Sequence, residues 1–180
     1  MAARYSVPVT TGQPLPFLWI LSDARNDAQL EGALDRLPAG SGFVFRHYHL
    51  DPAARRERFD LLARRARARG HMVIVSRGAE SFAQADGTYG RDRSAGRGLY
   101  LATAHNAAEI DAAERAGADG VFLSPVFATR SHERGDTLGP AGFHMLAQGT
   151  SLPVIALGGM TPDRAAEIDW PRWGAIDGLS

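Results

Sequence analysis

Apolar residues fall along this chain in short blocks separated by polar, helix-compatible stretches. The first block, Phe17-Leu18-Trp19-Ile20-Leu21, ends at Ser22-Asp23. Five continuous apolar residues suit a strand buried on both faces. Residues 24–37 are helix-like and stop at Pro38-Ala39-Gly40. Phe43 to His49 forms a second strand. Asp51-Pro52 then opens a helix, with an N-cap carboxylate followed by Pro at the first helical position. That helix runs to Arg69, with Gly70 as its stop. Met72–Val75 is a third strand, Asp86–Tyr89 a weak fourth and Gly98–Ala102 a fifth. His105 to Ala116 is helical and closed by Gly117. Gly120–Ser124 is a sixth strand, followed by a long polar loop from Pro125 to Gly139. Pro140–Gln148 is helical and Pro153–Leu157 is a seventh strand. Thr161-Pro162 caps another helix, and Ile176–Leu179 begins an eighth strand.

Ala-Asp-Gly occurs at 85–87 and 118–120, and Ile-Asp-Gly at 176–178. An Asp-Gly turn feeding a strand is what repeated helix-to-strand joins need. Strands alternating with helices predict a parallel sheet. Eight such units in unreversed order predict a compact (β/α)8 TIM barrel of the α/β class. A typical barrel has about 250 residues. This one has 180, so some helices must be shortened or missing. A doubly wound open sheet is the alternative. Residues 1–16, with Pro8, Pro14 and Pro16, read as a loose lead-in to a single barrel domain at 17–180.

Composition narrows the chemistry. The chain has no Cys, which excludes disulfide scaffolds and thiol catalysis. It also has no Lys, so all 20 basic side chains are Arg; lysine Schiff bases and a P-loop lysine are excluded. This bias, with many Ala, fits a GC-rich genome rather than a function. The 20 acidic residues bring the formal charge to +0, which gives no global reason to expect nucleic acid. No apolar stretch is long enough to span a membrane, and the N-terminal residues lack a signal-peptide pattern, so a cytoplasmic protein is expected.

In barrels the active site lies at the C-terminal ends of the strands. That rule selects Asp23, Arg46 to His49, Ser76-Arg77, Asp92, Thr103, His105, the loop Thr129-Arg130-Ser131-His132 and Gly158-Gly159. Two glycines between a strand and a capped helix let backbone N–H groups approach an anion, although a tight turn alone would also need glycine. The hydroxyl, guanidinium and imidazole donors of Thr129, Arg130, Ser131 and His132 suit a phosphate or diphosphate; the plain alternative is a solvated loop. The helix from residue 52 carries Arg55, Arg56, Arg58, Arg64, Arg65, Arg67 and Arg69. It reads as the solvated face of a barrel helix with Phe59, Leu62 and Ala66 turned inward, against a nucleic-acid reading. His47-x-His49 lies on one strand with no evident third ligand, so no His-made metal site is expected.

Four segments carry a family resemblance. They are Thr103-Ala104-His105, Gly117-Ala118-Asp119-Gly120, the run Ser124 to Thr129 (SPVFAT) and the run Leu152 to Asp163 (LPVIALGGMTPD). They resemble the thiamine phosphate synthase/TenI family, closely from about 99 to 167 and more weakly from 17 to 98. The resemblance implies a TIM barrel and one of two activities in thiamine biosynthesis. The first is a transferase that joins a hydroxymethylpyrimidine diphosphate to a thiazole phosphate, releasing diphosphate through a carbocation-like pyrimidine. The second is a TenI-like thiazole tautomerase, or a non-catalytic binder of such ligands. It further implies that Gly158 and Gly159 hold the thiazole phosphate. Thr129, Ser131 and His132 would match a diphosphate loop, with Arg130 beside them and Thr103 nearby. His105 would match the acid–base histidine of the tautomerase branch. The implied partners are these small phosphorylated ligands, with no nucleic acid or membrane; a homo-oligomer stays open.

The departures concern the metal. Where the synthases usually carry Gln-x-Arg-x-Lys on the second strand, this chain has Val44-x-Arg46-x-Tyr48. Where the third strand usually ends in Asn-Asp, with an Mg²⁺-binding Asp, it has Ser76-Arg77. Only Asp92 could replace the next metal carboxylate, so Mg²⁺ is in doubt as a cofactor. The phosphate loop after strand eight is expected to be cut short at Gly178-Leu179-Ser180. Arg46 and Arg77, with Arg130, could neutralise the leaving diphosphate in place of a metal. A third reading is an interaction protein that uses the Arg-rich helix.

Overall fold

The computed structural model describes residues 14–78, 81–82, 84–93, 98–129 and 137–179. Eight parallel strands close into a barrel in sequence order. They are β1 (Leu18–Leu21), β2 (Gly42–Phe45), β3 (Met72–Ser76), β4 (Gly87–Gly90), β5 (Leu99–Ala104), β6 (Gly120–Leu123), β7 (Val154–Ala156) and β8 (Trp173–Ala175). Helices α1 (Leu30–Arg36), α2 (Pro52–Ala68), α3 (Ala107–Arg115), α4 (Gly139–Gln148) and α5 (Pro162–Glu167) pack outside it. Among the described residues no α-helix joins β3 to β4 or β4 to β5, which is how eight staves fit so short a chain.

The expected eighth strand is corrected. Its pairing with β1 runs through Leu18↔Trp173, Trp19↔Gly174 and Ile20↔Ala175. Residues 176–178 therefore lie beyond its C-terminal end, on the side where ligands bind, so a loop after β8 exists. The second strand is also shorter than expected. It ends at Phe45, and His47 and His49 lie in the turn after it. His47 has a positive φ of 24°, which strand geometry does not allow. Helix α3 begins after His105, because Asn106 caps it by accepting from the Glu109 N–H.

The barrel interior is filled by Trp19, Leu21, Val44, Ile74, Leu101, Phe122 and Ile155, joined from below by Leu15 of the lead-in. Leu15 is thus a buried plug rather than a loose residue. Trp19 sets the register on both flanks. It sits level with Gly42 of β2 and Gly174 of β8, and a Cβ at residue 42 would meet its indole at 2.1 Å. The indole Nε1–H donates to the Pro16 carbonyl at 2.8 Å. Outside the staves, Phe59, Leu62 and Ala66 of α2 are buried against β2 and β3, as the helix pattern predicts.

The two Ala-Asp-Gly turns share one device. Asp86 and Asp119 each accept a main-chain hydrogen bond from the strand already laid down, from Val73 N–H at 2.7 Å and Tyr100 N–H at 2.8 Å. Each also donates its own N–H to that same residue's carbonyl. The carboxylate thereby satisfies edge groups at the bottom of the barrel while the glycine starts the next strand. Asp177 lies in the loop after β8 and is not part of this device.

Candidate active site

One large cavity, about 890 Å³, opens at the C-terminal ends of the strands. Its wall is built in chain order. Arg46 and Tyr48 follow β2, and Ser76 and Arg77 end β3. Arg91 and Asp92 follow β4, and Thr103 and His105 come from the end of β5. Ser124 and Thr129 follow β6, Gly158 to Thr161 follow β7, and Ile176 to Gly178 follow β8. Of the sequence's strand-end candidates within the described residues, Arg46, Tyr48, Ser76, Arg77, Asp92, Thr103, His105, Thr129, Gly158 and Gly159 line this one space, whereas Asp23, His47 and His49 lie outside it, around a small hollow beside it. Arg130, Ser131 and His132 lie outside the described residues.

Four arginines line the cavity (Arg46, Arg77, Arg91 and Arg164) against two aspartates, Asp92 and Asp177. The cationic side is built on β2 and β3. Arg77 has φ 60°, a left-handed backbone that costs a non-glycine residue energy. Its Cζ lies 4.6 Å from the ring centre of Tyr48, and that of Arg46 lies 5.6 Å from it. The Tyr48 hydroxyl is hydrogen-bonded to Ser76 Oγ at 2.6 Å. From behind, Arg55 of α2 donates to the carbonyls of Arg46, Ser76 and Arg77, tying the two turns together. Arg46 Nη2 also meets Asp23 Oδ2 at 3.4 Å. Burial alone would raise the Asp23 carboxyl, but Arg25 and Arg46 outweigh it and hold it below the ordinary range. The Nε of Arg46 is buried with no partner among the described residues.

The facing side, after β7, is main chain. Gly158 and Gly159 have φ of 95° and 64°, and a Cβ on either would strike the β6 loop, at Pro125 or at the Ala128 carbonyl. Packing between the two loops therefore demands glycine on its own account. No acceptor among the described residues takes the N–H of either glycine. Thr161 caps α5 by accepting from the Arg164 N–H at 3.3 Å, and Arg164 folds back over Phe127, with Cζ 4.9 Å from its ring centre.

His105 sits between the two sides. Its Nδ1 and its main-chain N–H both meet Glu109 Oε2, each at 2.8 Å. Burial pushes the Glu109 carboxyl up, but the hydrogen bonds from His105 outweigh this and keep it below the ordinary carboxylate range. An ionised acceptor at Nδ1 orients the ring, with Nδ1–H donating to Glu109. Tyr89 forms part of the floor against Phe122; burial raises its hydroxyl to about 12, so it stays protonated.

Beside the cavity, the expectation about His47 and His49 needs correction. Asp27 supplies a third donor, and the three ligand atoms lie within 4.8 Å of one another. However, Asp27 Oδ1 already meets His47 Nε2 at 2.8 Å and Arg58 Nε at 2.7 Å. The Arg58 charge neutralises the carboxylate where a cation would sit, so the cluster satisfies itself. Four of the six arginines of α2 are likewise engaged internally: Arg55 on carbonyls, Arg58 on Asp27 and Glu31, Arg65 on Asp35, Arg67 on Gln84 and Asp86. That removes much of the charge a nucleic-acid reading needs.

Tyr89, Arg91, Ser124, Arg164 and Asp177 also line the cavity and are not among the sequence's candidates. Arg91 and Ser124 follow strand ends and the barrel rule could have found them. Arg164 could not be found so, because it reaches back from inside a helix.

Residues 93–170 match the family model described as thiamine monophosphate synthase. A thiamine-phosphate synthase of Geobacillus thermodenitrificans (strain NG80-2) is 35% identical over 68 residues, which cover 37% of this chain and 31% of that protein. Over this stretch the chain is similar to thiamine phosphate synthases. One from Methanoregula boonei is 42% identical over 64 residues, covering 35% of this chain and 30% of that one. The matched stretches span about a third of the length of these curated relatives. In solved structures, a thiamine phosphate pyrophosphorylase from Pyrococcus furiosus superposes with a TM-score of 0.73 at 20% identity, over 88% of this chain and 84% of that one. That likeness concerns the fold. The matched stretch begins after β4, so the turns after β2 and β3, where Arg46, Tyr48 and Arg77 stand, lie outside it.

Mg²⁺ in this family calls for carboxylates, and the described donors do not fit it. Asp92 follows β4 and Asp177 follows β8, on opposite staves of the barrel. Asp177 faces Arg25 at 3.6 Å, and Arg77 occupies the end of β3. Two separated carboxylates among four guanidiniums do not provide the oxygen-rich shell that a hard cation takes.

Proposed function

We propose that this protein catalyses a thiamine phosphate synthase-type ligation with arginines in the diphosphate-handling role. The observation that carries the reading is the placement of an arginine pole and a glycine main-chain pole on opposite sides of one cavity. Arg77, after β3, and Gly158-Gly159, after β7, stand on opposite staves of the barrel.

In this reading the thiazole phosphate rests on the main-chain N–H groups of Gly158 and Gly159, with Arg164 close by. The pyrimidine diphosphate lies with its diphosphate against Arg46 and Arg77. The methylene C–O bond breaks, the electron pair leaves with the diphosphate, and the thiazole nitrogen lone pair forms the new C–N bond. No proton has to be removed from that nitrogen. The protein's main task is to stabilise charge on the departing diphosphate, which preorganised guanidinium donors do well in a cavity.

A second reading, thiazole isomerisation, is favoured by the His105–Glu109 pair at the cavity wall. An imidazole oriented by a carboxylate is a suitable proton carrier.

The test is product formation from pyrimidine diphosphate and thiazole phosphate, with Mg²⁺ and with chelator, for the native protein and for Arg77→Ala. Thiamine phosphate formed in chelator and lost in the variant is the expected result. Strict Mg²⁺ dependence, or full turnover by Arg77→Ala, would overturn arginine-based handling. No product from folded protein would leave the isomerase or binder reading.

A further inference from the structure

We infer that Tyr48 is a positioning residue whose ring face gathers Arg46 and Arg77 into one diphosphate clamp. The inference rests on the ligation reading above and deepens it.

The two arginines come from neighbouring strands, β2 and β3, and carry like charges. Without an opposing partner they would repel and splay into solvent. Asp23 restrains only Arg46, from the side of β1, at 3.4 Å. Tyr48 meets both guanidiniums within cation–π range, at 5.6 Å for Arg46 and 4.6 Å for Arg77. Its own freedom is limited because its hydroxyl is held by Ser76 at 2.6 Å. Ser76 is buried and immediately precedes Arg77. One side chain thus joins the Arg46 turn to the Arg77 turn on the cavity side, while Arg55 joins the same turns from behind through their carbonyls.

Tyr48 remains 45% exposed, which core packing does not explain for an aromatic at the cavity wall. At this sequence position an aliphatic ammonium would add a further charge. A tyrosine instead aligns two charges already present. A guanidinium lying over a π face keeps its in-plane N–H donors for a ligand, so the arrangement leaves the fork of Arg77 available for diphosphate oxygens, with Arg46, whose Nη2 is held by Asp23, beside it.

The experiment is calorimetric titration of inorganic diphosphate, in chelator, into the full chain and the variants Tyr48→Phe, Tyr48→Leu and Arg77→Ala, each checked for an unchanged unfolding midpoint. Tyr48→Phe should bind within about twofold of the native protein. Tyr48→Leu should bind about tenfold more weakly, the effect of losing two exposed cation–π contacts. Native affinity in Tyr48→Leu, beside a loss in Arg77→Ala, would overturn the inference and leave the ligation reading intact. Equal losses in Tyr48→Phe and Tyr48→Leu would assign the effect to the hydroxyl and overturn the ring's role. Failure of the native protein to bind diphosphate, or identical binding by Arg77→Ala, would remove the reading on which the inference stands. Turnover adds a further check: Tyr48→Leu should raise KM for the pyrimidine diphosphate, and Tyr48→Phe should restore it.

Discussion

His47 meets Asp27 at 2.8 Å, Nε2 to Oδ1, while its Nδ1 lies 2.8 Å from the hydroxyl of Ser22. Burial lowers the imidazole's proton affinity below its ordinary value of 6.5, and the partly offsetting pull of Asp27 does not restore it. The ring is therefore neutral: Nε2 donates to the Asp27 carboxylate, and Nδ1 accepts from Ser22. A histidine whose folded value is depressed binds fewer protons in the folded than in the unfolded chain below 6.5. Its stabilising share is full above that pH and is lost as pH falls below it. The unfolding midpoint should thus decline from pH 7 toward pH 5, and His47→Gln should flatten that decline. Asp27 acts in a separate window. Its carboxyl, which burial raises but His47 and Arg58 bring below the ordinary 3.8, loses its share only at more acid pH. A midpoint in the native protein that does not change from pH 7 to 5 would contradict this assignment.

Arg77 holds a left-handed backbone at φ 60° and is followed by Gly78 at φ 68°. A non-glycine residue there costs about 1 kcal/mol relative to glycine. Arg77→Gly should therefore leave the unfolding free energy unchanged or raise it slightly, while diphosphate-dependent turnover falls by a hundredfold or more, on the order of removing one charged transition-state donor. Denaturant unfolding and initial rates on the same preparation check both halves. A large loss of stability would show that the side chain is structural.

Gly42 has no room for a methyl group, because the Trp19 indole occupies it 2.1 Å from where a Cβ would stand. Gly42→Ala should cost about 1–3 kcal/mol through displacement of the indole. Tryptophan fluorescence measured through a denaturant titration of the native protein and the variant would report the cost.

The barrel was legible because each buried strand is a short unbroken apolar run and each helix has local punctuation. Asp51-Pro52, Gly70, Gly117 and Thr161 act where their chemistry predicts. The eighth strand was misplaced because Trp173-Gly174-Ala175 carries little apolar bulk; Gly174 is small to make room for Trp19, a constraint from another stave. The second strand was overextended because His47 looks strand-compatible until its buried partners Ser22 and Asp27 are seen. In the site, the strand-end rule located the residues, but not their relations. That Tyr48 touches two arginines, or that Arg164 reaches back to Gly159, depends on contacts across elements that no local pattern encodes.

Arg55 donates from α2 to three carbonyls at the ends of β2 and β3. Burial lowers its proton affinity, yet an arginine stays charged, so these are charge-assisted bonds. Arg55→Met keeps much of the stem over Phe82 and removes the donors. It should cost about 2 kcal/mol of stability and raise KM for the diphosphate substrate more than it lowers kcat, because the clamp loosens while its arginines remain. An unchanged KM would limit Arg55 to holding the helix.

His105 separates the two catalytic readings. In ligation the thiazole nitrogen attacks through a lone pair, so no base at His105 is required; in isomerisation a proton must be moved, and an acid–base residue contributes about 10²–10⁴-fold. His105→Asn keeps a donor toward Glu109 and removes the titratable ring. If ligation is the activity, thiamine phosphate formation should fall by less than about tenfold, while Arg77→Ala loses far more. The reverse ranking, with isomerisation of a thiazole phosphate collapsing in His105→Asn and surviving in Arg77→Ala, would assign the cavity to proton transfer. Because Arg77 and His105 stand on β3 and β5, with β4 between them, the double variant should show additive losses if each serves a different step. A loss no larger than the worse single variant would place both in one step.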